Sequence, residues 1–219
     1  MLRILGLSLL LTLPLVGQSG TRRISVSQGQ KHTKERPFIA DLRARAMRGE
    51  AKAQFDLGVS YRFGQGVPQS DAEAVKWYRK AAEQGYAKAQ YNLGVCCDTG
   101  KGLPKDYAEA AKWYRKAAGQ GHAKAQFYLG VSYKYGQGVT RDDVESYAWL
   151  SLSAAGGEAI ALTSREEVCD RLSPQDLQRA QLRERQLGEE IQAGQTKRKG
   201  VKRRRSVQVP VSLASARSV

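Results

Sequence analysis

Residues 51–85 read AKAQFDLGVSYRFGQGVPQSDAEAVKWYRKAAEQG, and the chain then repeats itself. The stretch returns as AKAQYNLGVCCDTGKGLPKDYAEAAKWYRKAAGQG over 87–121. It returns again, more loosely, as AKAQFYLGVSYKYGQGVTRDDVESYAWLSLSAAGG over 123–157. The copies begin at Ala51, Ala87 and Ala123, 36 residues apart and without insertion. A fixed period of this size marks stacked supersecondary units.

Each unit reads as two antiparallel helices. In the first, Ala53, Leu57 and Tyr61 stand four apart, and Phe55 and Val59 form a second apolar line, so more than one face is buried. Gly64-Gln65-Gly66 stops this helix, because paired glycines supply the left-handed turn. Capping-box pairs open the second helix three times over: Ser70 with Glu73, Asp106 with Glu109, Asp142 with Glu145. That helix places Ala74, Trp77, Tyr78, Ala81 and Ala82 on one band and ends at Gly85, with Gly121 and Gly157 as its counterparts. Neither helix hides its band alone; neighbours must stack.

The A-x-A-x-x-x-L-G of Ala51–Gly58, the G-x-G-V of Gly64–Val67 and the W-Y-x-K-A-A-x-x-G of Trp77–Gly85 resemble the SEL-one-like repeat family, relatives of the tetratricopeptide solenoids. The resemblance covers roughly residues 41–193. The fold it implies is all-α: a right-handed α/α superhelical solenoid of three 36-residue helix-turn-helix repeats, 51–86, 87–122 and 123–158, with partial capping helices. The third copy departs after Trp149, where Leu150-Ser151-Leu152 replaces Tyr-Arg-Lys, and this variant copy reads as a capping unit. For function, the resemblance implies scaffold or adaptor work between proteins.

The flanks are of other kinds. Residues 1–20 carry one charge, Arg3, ahead of the uncharged run Ile4–Gly17, the layout of a secretory signal peptide. Cleavage after Ser19 fits; an uncleaved anchor is the alternative, although the run is short for a span of about 20 apolar residues. With either, the repeats sit outside the cytoplasm, periplasmic or secreted, and the compact repeats favour a bacterium. Residues 21–37 read as a linker. Residues 38–50 fall in phase with a second helix and read as an N-terminal capping half-repeat. Residues 159–194 read as C-terminal capping helices, the last begun by Ser173-Pro174 with Leu177, Ala180, Leu187 and Ile191 inward and Arg183, Arg185 and Glu189 in water. Residues 195–219 read as a disordered basic tail.

The formal charge of +15 is a matter of those flanks. Residues 195–219 hold eight basic residues and no acid, and the repeat body is close to neutral. Lys197, Arg198, Lys199, Lys202, Arg203, Arg204 and Arg205 could neutralise phosphates. Behind a signal peptide, an anionic lipid, an acidic polysaccharide or an acidic protein is the better target, and nucleic acid the weaker one.

Catalytic chemistry finds little support. Cys96 and Cys97 take the places of Ser60 and Tyr61, ordinary helix positions, and adjacent cysteines on a helix diverge by about 100°. They read as small packing residues, with a bridge from one of them to Cys169 left open. His32 and His122 are the only histidines, and no His/Cys spacing suits a metal. The G-x-G loops lack the preceding strand and third glycine of a dinucleotide fingerprint. No enzyme, cofactor, metal or small-molecule substrate is expected. The tryptophans fit the buried band better than a ligand cage.

The repeats also suggest a binding surface. Ala53, Leu57, Gly58, Val59 and Trp77 are identical in all copies, as stacking dictates, whereas the first helix varies at Asp56/Asn92/Tyr128, Arg62/Asp98/Lys134 and Phe63/Thr99/Tyr135. First helices line the concave face of tetratricopeptide-like solenoids. These positions are therefore expected to face a groove that takes a segment of another protein, with Tyr128, Lys134 and Tyr135 as its most adhesive corner.

Overall fold

The structure, a computed structural model, describes residues 37–207 and places nine helices and no strand among them. The expected signal peptide, almost all of the linker and the last part of the basic tail lie outside the described residues. Helix α1 spans Pro37–Met47. Three hairpins follow: α2 (Ala51–Phe63) with α3 (Asp71–Glu83), α4 (Ala87–Thr99) with α5 (Tyr107–Ala118), and α6 (Ala123–Tyr135) with α7 (Asp143–Ala155). Helices α8 (Ile160–Cys169) and α9 (Pro174–Val207) close the chain. Each helix from α1 to α7 packs on the next, and α9 packs on α7, so the folded part is a stack of helical hairpins.

Local chemistry sets the boundaries. Gly64, Gly100 and Gly136 end α2, α4 and α6 at φ 66°, 72° and 70°, a conformation that costs glycine nothing. Ser70 accepts from Glu73 N, Asp106 from Glu109 N, and Asp142 from Val144 N and Glu145 N. Only half of each capping box forms. The N-cap amides of Ser70, Asp106 and Asp142 donate instead to the carbonyls of Tyr61, Cys97 and Tyr133 on the partner helix. Glu109 and Glu145 are thereby released to accept from the indoles of Trp113 and Trp149.

The Leu-Gly pair of each first helix is explained by what crosses it. A Cβ on Gly58 or Gly94 would stand 2.7 Å from the ring carbons of Tyr78 or Tyr114, so glycine lets the second helix lay its largest buried side chain against the first. A mid-helix glycine costs about 1 kcal/mol. Burying the neighbouring Leu57, Leu93 and Leu129 completely stabilises by about 1.5–3 kcal/mol each, which outweighs it.

Successive repeats are also held by buried glutamines. Gln54, Gln90 and Gln126 donate to the carbonyls of Ala46, Ala82 and Ala118 at the end of the preceding helix. Gln84 and Gln120 then donate to the Oε1 of Gln54 and Gln90. Each junction thus adds a buried side-chain donor to a helix-terminal carbonyl that also accepts from the amide of Gly49, Gly85 or Gly121.

The C-terminal end differs from expectation in three ways. First, the third copy is no terminal cap. Helix α7 is covered by both α8 and α9, so Arg79/Arg115 and Lys80/Lys116, exposed in the first two copies, give way to a buried Ser151 and a half-buried Leu152. Second, Arg183 is not free in water; its Nε donates to Glu145 at 2.6 Å. Ala180, Leu187 and Ile191 are buried, with Leu187 and Ile191 in the main core. Third, residues 195–207 are helical and not disordered. No proline intervenes before Pro210, and Gln, Lys and Arg are strong helix formers. Gln195 donates to Gln120 O at 3.0 Å and Arg198 to Gln120 Oε1, tying this turn to the end of α5. Among the described residues, no helix is long and apolar enough to cross a membrane.

Candidate interaction face

The first helices α2, α4 and α6 share one side of the stack, where an open depression of about 390 Å³ lies across the three repeats. Its floor is aromatic: Phe55 and Tyr91 occupy the same position in consecutive copies, whereas their counterpart Phe127 packs against the cluster of Leu150, Ala161 and Val168. Lys88, Asn92, His122, Lys124 and Glu158 complete the lining.

The rings hold one another in place. Phe55 packs on Tyr86 with centroids 5.3 Å apart, and Tyr128 stacks on the buried Tyr114 at 5.3 Å while touching Tyr91 at 5.9 Å. Tyr91 also stacks on His122 at 4.8 Å. Burial, then the neighbouring Tyr128 and Glu158, push the Tyr91 phenol up to about 12, so it remains a neutral hydrogen-bonding group. Burial chiefly holds His122 below its ordinary value. The face therefore offers preordered, half-exposed rings with polar tips, the kind of surface that gives large contact area at small entropic cost.

The variable positions of the first helices do not form one surface. Asn92 lines the depression, and Asp56 is half-buried on the same helix face. Tyr128 belongs to the ring cluster. The 62/98/134 row turns toward the second helix. Asp98 accepts from the Tyr114 hydroxyl at 3.3 Å, and Arg62 lies near the Tyr78 hydroxyl, on which no hydrogen bond closes. In the third copy Leu150 replaces that tyrosine, and Lys134 turns to α8 instead. Its side chain is only 4 % exposed and pairs with Glu167. Burial opposes charge on Lys134, but Glu167 and Tyr135 outweigh burial and raise its pKa. Lys134 is thus engaged by Glu167 on α8; of the expected corner, Lys134 and Tyr135 touch, while Tyr128 packs on Tyr91 and Tyr114 instead. Tyr135, 60 % exposed, has the Lys134 ammonium 5.1 Å from its ring centroid.

Sequence reasoning passed over Phe55 and Tyr91 because an aromatic residue at one register in every copy looks like core. It also passed over Lys52, Lys88 and Lys124, exposed at one register in all three copies. A lysine repeated where nothing packs was the available signal.

Elsewhere, chemistry is muted. Cys96 and Cys97 are buried free thiols, Cys169 is a half-buried one, and burial pushes Cys97 up to about 11. Such thiols are poor nucleophiles. Among the described residues, no group of three or more His, Cys, Asp or Glu could hold a metal ion. Trp77 and Trp113 are buried beneath Lys80 and Lys116, whose ammonium groups lie 4.3 and 3.9 Å from the ring centroids. Lys197 and Arg198 are exposed on α9, and Lys199 and Lys202–Arg205 continue along its helical backbone.

A family model for the Sel1 repeat matches residues 51–86, 87–122 and 123–158. No curated protein matches the chain. Among solved structures, the chain is similar to a protective antigen of uropathogenic Escherichia coli strains that displays an SLR fold. Identity there is 34 % and the TM-score 0.66, over 82 % of this chain and 38 % of that one. It is also similar to a Sel1 repeat protein from Oxalobacter formigenes, at 38 % identity and a TM-score of 0.56, over 58 % of this chain and 52 % of that one. This chain thus matches about half or less of either protein's length.

Proposed function

This chain belongs to the Sel1 repeat family through residues 51–158, and on that premise we propose that it is an exported, non-enzymatic adaptor that holds a segment of another protein against α2, α4 and α6. Sel1 repeat proteins generally act as protein-interaction scaffolds and are typically non-catalytic. The observation that carries the reading is the open, aromatic-floored depression spanning three repeats. Half-exposed rings locked by their neighbours are what a docking segment uses as anchors. Export rests on the charge layout of residues 1–20, and the bacterial origin of the similar structures agrees with an envelope location.

The test is partner capture by the full chain and by a Phe55→Glu/Tyr91→Arg variant. Loss of capture with unchanged helix content supports the groove; undiminished capture contradicts it.

A second reading has its own observation: α9 carries Lys197, Arg198, Lys199 and Lys202–Arg205 on a helix whose last turns lie past the buried Ile191. Such a run suits anionic lipid or polysaccharide. Binding through it weakens as salt rises past about 0.15 M and is lost on removal of residues 195–219, whereas groove binding survives that truncation.

A further inference from the structure

Resting on the reading of this face as a protein-binding groove, we infer that its occupant is an acidic segment whose carboxylates meet Lys52, Lys88 and Lys124 while its apolar side chains enter the depression over Phe55 and Tyr91.

The three lysines sit at one register, in the first turn of α2, α4 and α6, and all three are exposed. None takes part in an ion pair or a hydrogen bond within the described residues. Packing gives no reason for them. Other repeated lysines behave differently: Lys76 and Lys112 become Ala148 in the third copy, and Lys80 and Lys116 become Leu152, where α9 covers the surface. The first-helix lysine persists in the same copy, while Asp56, Asn92 and Tyr128, four positions further on, have all diverged. A row retained at an exposed site, beside a drifting neighbour, answers to something that binds there.

The charge on the face favours an anionic occupant. Against Lys52, Lys88, Lys124 and Arg62 stand Asp56, Glu158 and an Asp98 already engaged by the Tyr114 hydroxyl. Lys88 and Lys124 both line the depression, as Tyr91 does. Besides burial, those same two lysines help hold His122 below its ordinary pKa, which places their field inside the depression. Complementary charge of this kind steers association and selects partners. A segment that alternates carboxylates with apolar side chains would use both features, because rings and lysines run as parallel rows along the stack.

The experiment is selection from a displayed random peptide library on the full chain, followed by affinity measurement on a K52E/K88E/K124E variant and on Tyr91→Arg. Glutamate in the first turn of a helix is well tolerated, so the triple variant keeps its fold, checked by far-UV circular dichroism. Peptides enriched in Asp and Glu beside apolar residues are expected, bound at least about tenfold more weakly by the triple variant. Tyr91→Arg should weaken them as well. Peptides lost on Tyr91→Arg but without acidic enrichment would overturn the acidic occupant and leave the groove reading standing. Acidic peptides bound equally by the triple variant would place the contact on the basic helix and overturn the inference. If no selected peptide depends on Tyr91, both the groove reading and this inference fail.

Discussion

The imidazole of His122 stacks on the Tyr91 ring at 4.8 Å, and its Nδ1 accepts a hydrogen bond from Ala125 N at 3.3 Å. Only the neutral ring can accept there. His122 caps α6 and lines the groove at once, so the groove wall is coupled to protonation.

Burial holds the folded-state pKa of His122 below its ordinary value of about 6.5. Above that value the ring is neutral in both states and contributes no pH dependence. As pH falls through it, the unfolded chain takes up a proton that the folded chain resists, so stability drops until the lowered folded pKa is reached. Urea midpoints at about pH 8 and pH 5.5 should differ more in the wild type than in His122→Asn, which keeps a capping oxygen. Equal differences in the two proteins would contradict this role.

Gly94 is expected to be intolerant despite its helical position. Alanine would gain about 1 kcal/mol in helix propensity, but its Cβ would stand 2.7 Å from the buried Tyr114 ring. Overpacking of that kind costs about 1–3 kcal/mol, so Gly94→Ala should be destabilising on balance. Chemical denaturation reads the sign directly; a more stable variant would mean the ring moves freely.

Gln90 should matter more than its polarity suggests. It donates to Ala82 O at 3.0 Å and accepts from Gln120, both at a buried junction. Gln90→Ala removes both side-chain bonds, with Ala82 O keeping the Gly85 amide, and should cost about 0.5–1.5 kcal/mol per bond lost. Lys88→Ala, two residues earlier and exposed, should stay within about 0.5 kcal/mol. Denaturant midpoints of the two variants separate these cases.

The pair between Lys134 and Glu167 ties α8 to α6. Its hydrogen bond and charge hold the Glu167 carboxyl below the usual carboxylate range. The contribution is therefore present above that range and is lost as pH falls through the lowered value. Glu167→Gln should speed amide exchange over residues 160–169 at neutral pH, because Lys134 keeps its charge in a closed site without its counter-ion. Unchanged exchange there would show that α8 is held by Ala161 and Val168 alone.

The 36-residue period was legible because stacking repeats the same demand: a glycine where a ring crosses, a cap where a helix begins. Ser70, Asp106 and Asp142 announce α3, α5 and α7 from sequence alone. The helical course of residues 195–207 was not legible, since composition speaks for solvation and is silent about the Gln120 carbonyl that anchors Gln195. Lys134 was misjudged for a related reason. Variability among copies marks freedom from stacking, but α8, an element outside the repeats, supplied its partner. Aromatic character shared among the copies misled in the opposite sense, hiding the groove residues Phe55 and Tyr91 among core positions.

The most direct test of a groove-bound partner is site-specific photocrosslinking in the full chain. One probe replaces Asn92, within the depression, and another replaces Lys112, exposed on α5. A covalent partner adduct formed from position 92 and absent from position 112 is the expected result. Adducts from position 112 with none from position 92 would place the working surface on the second helices and contradict the account.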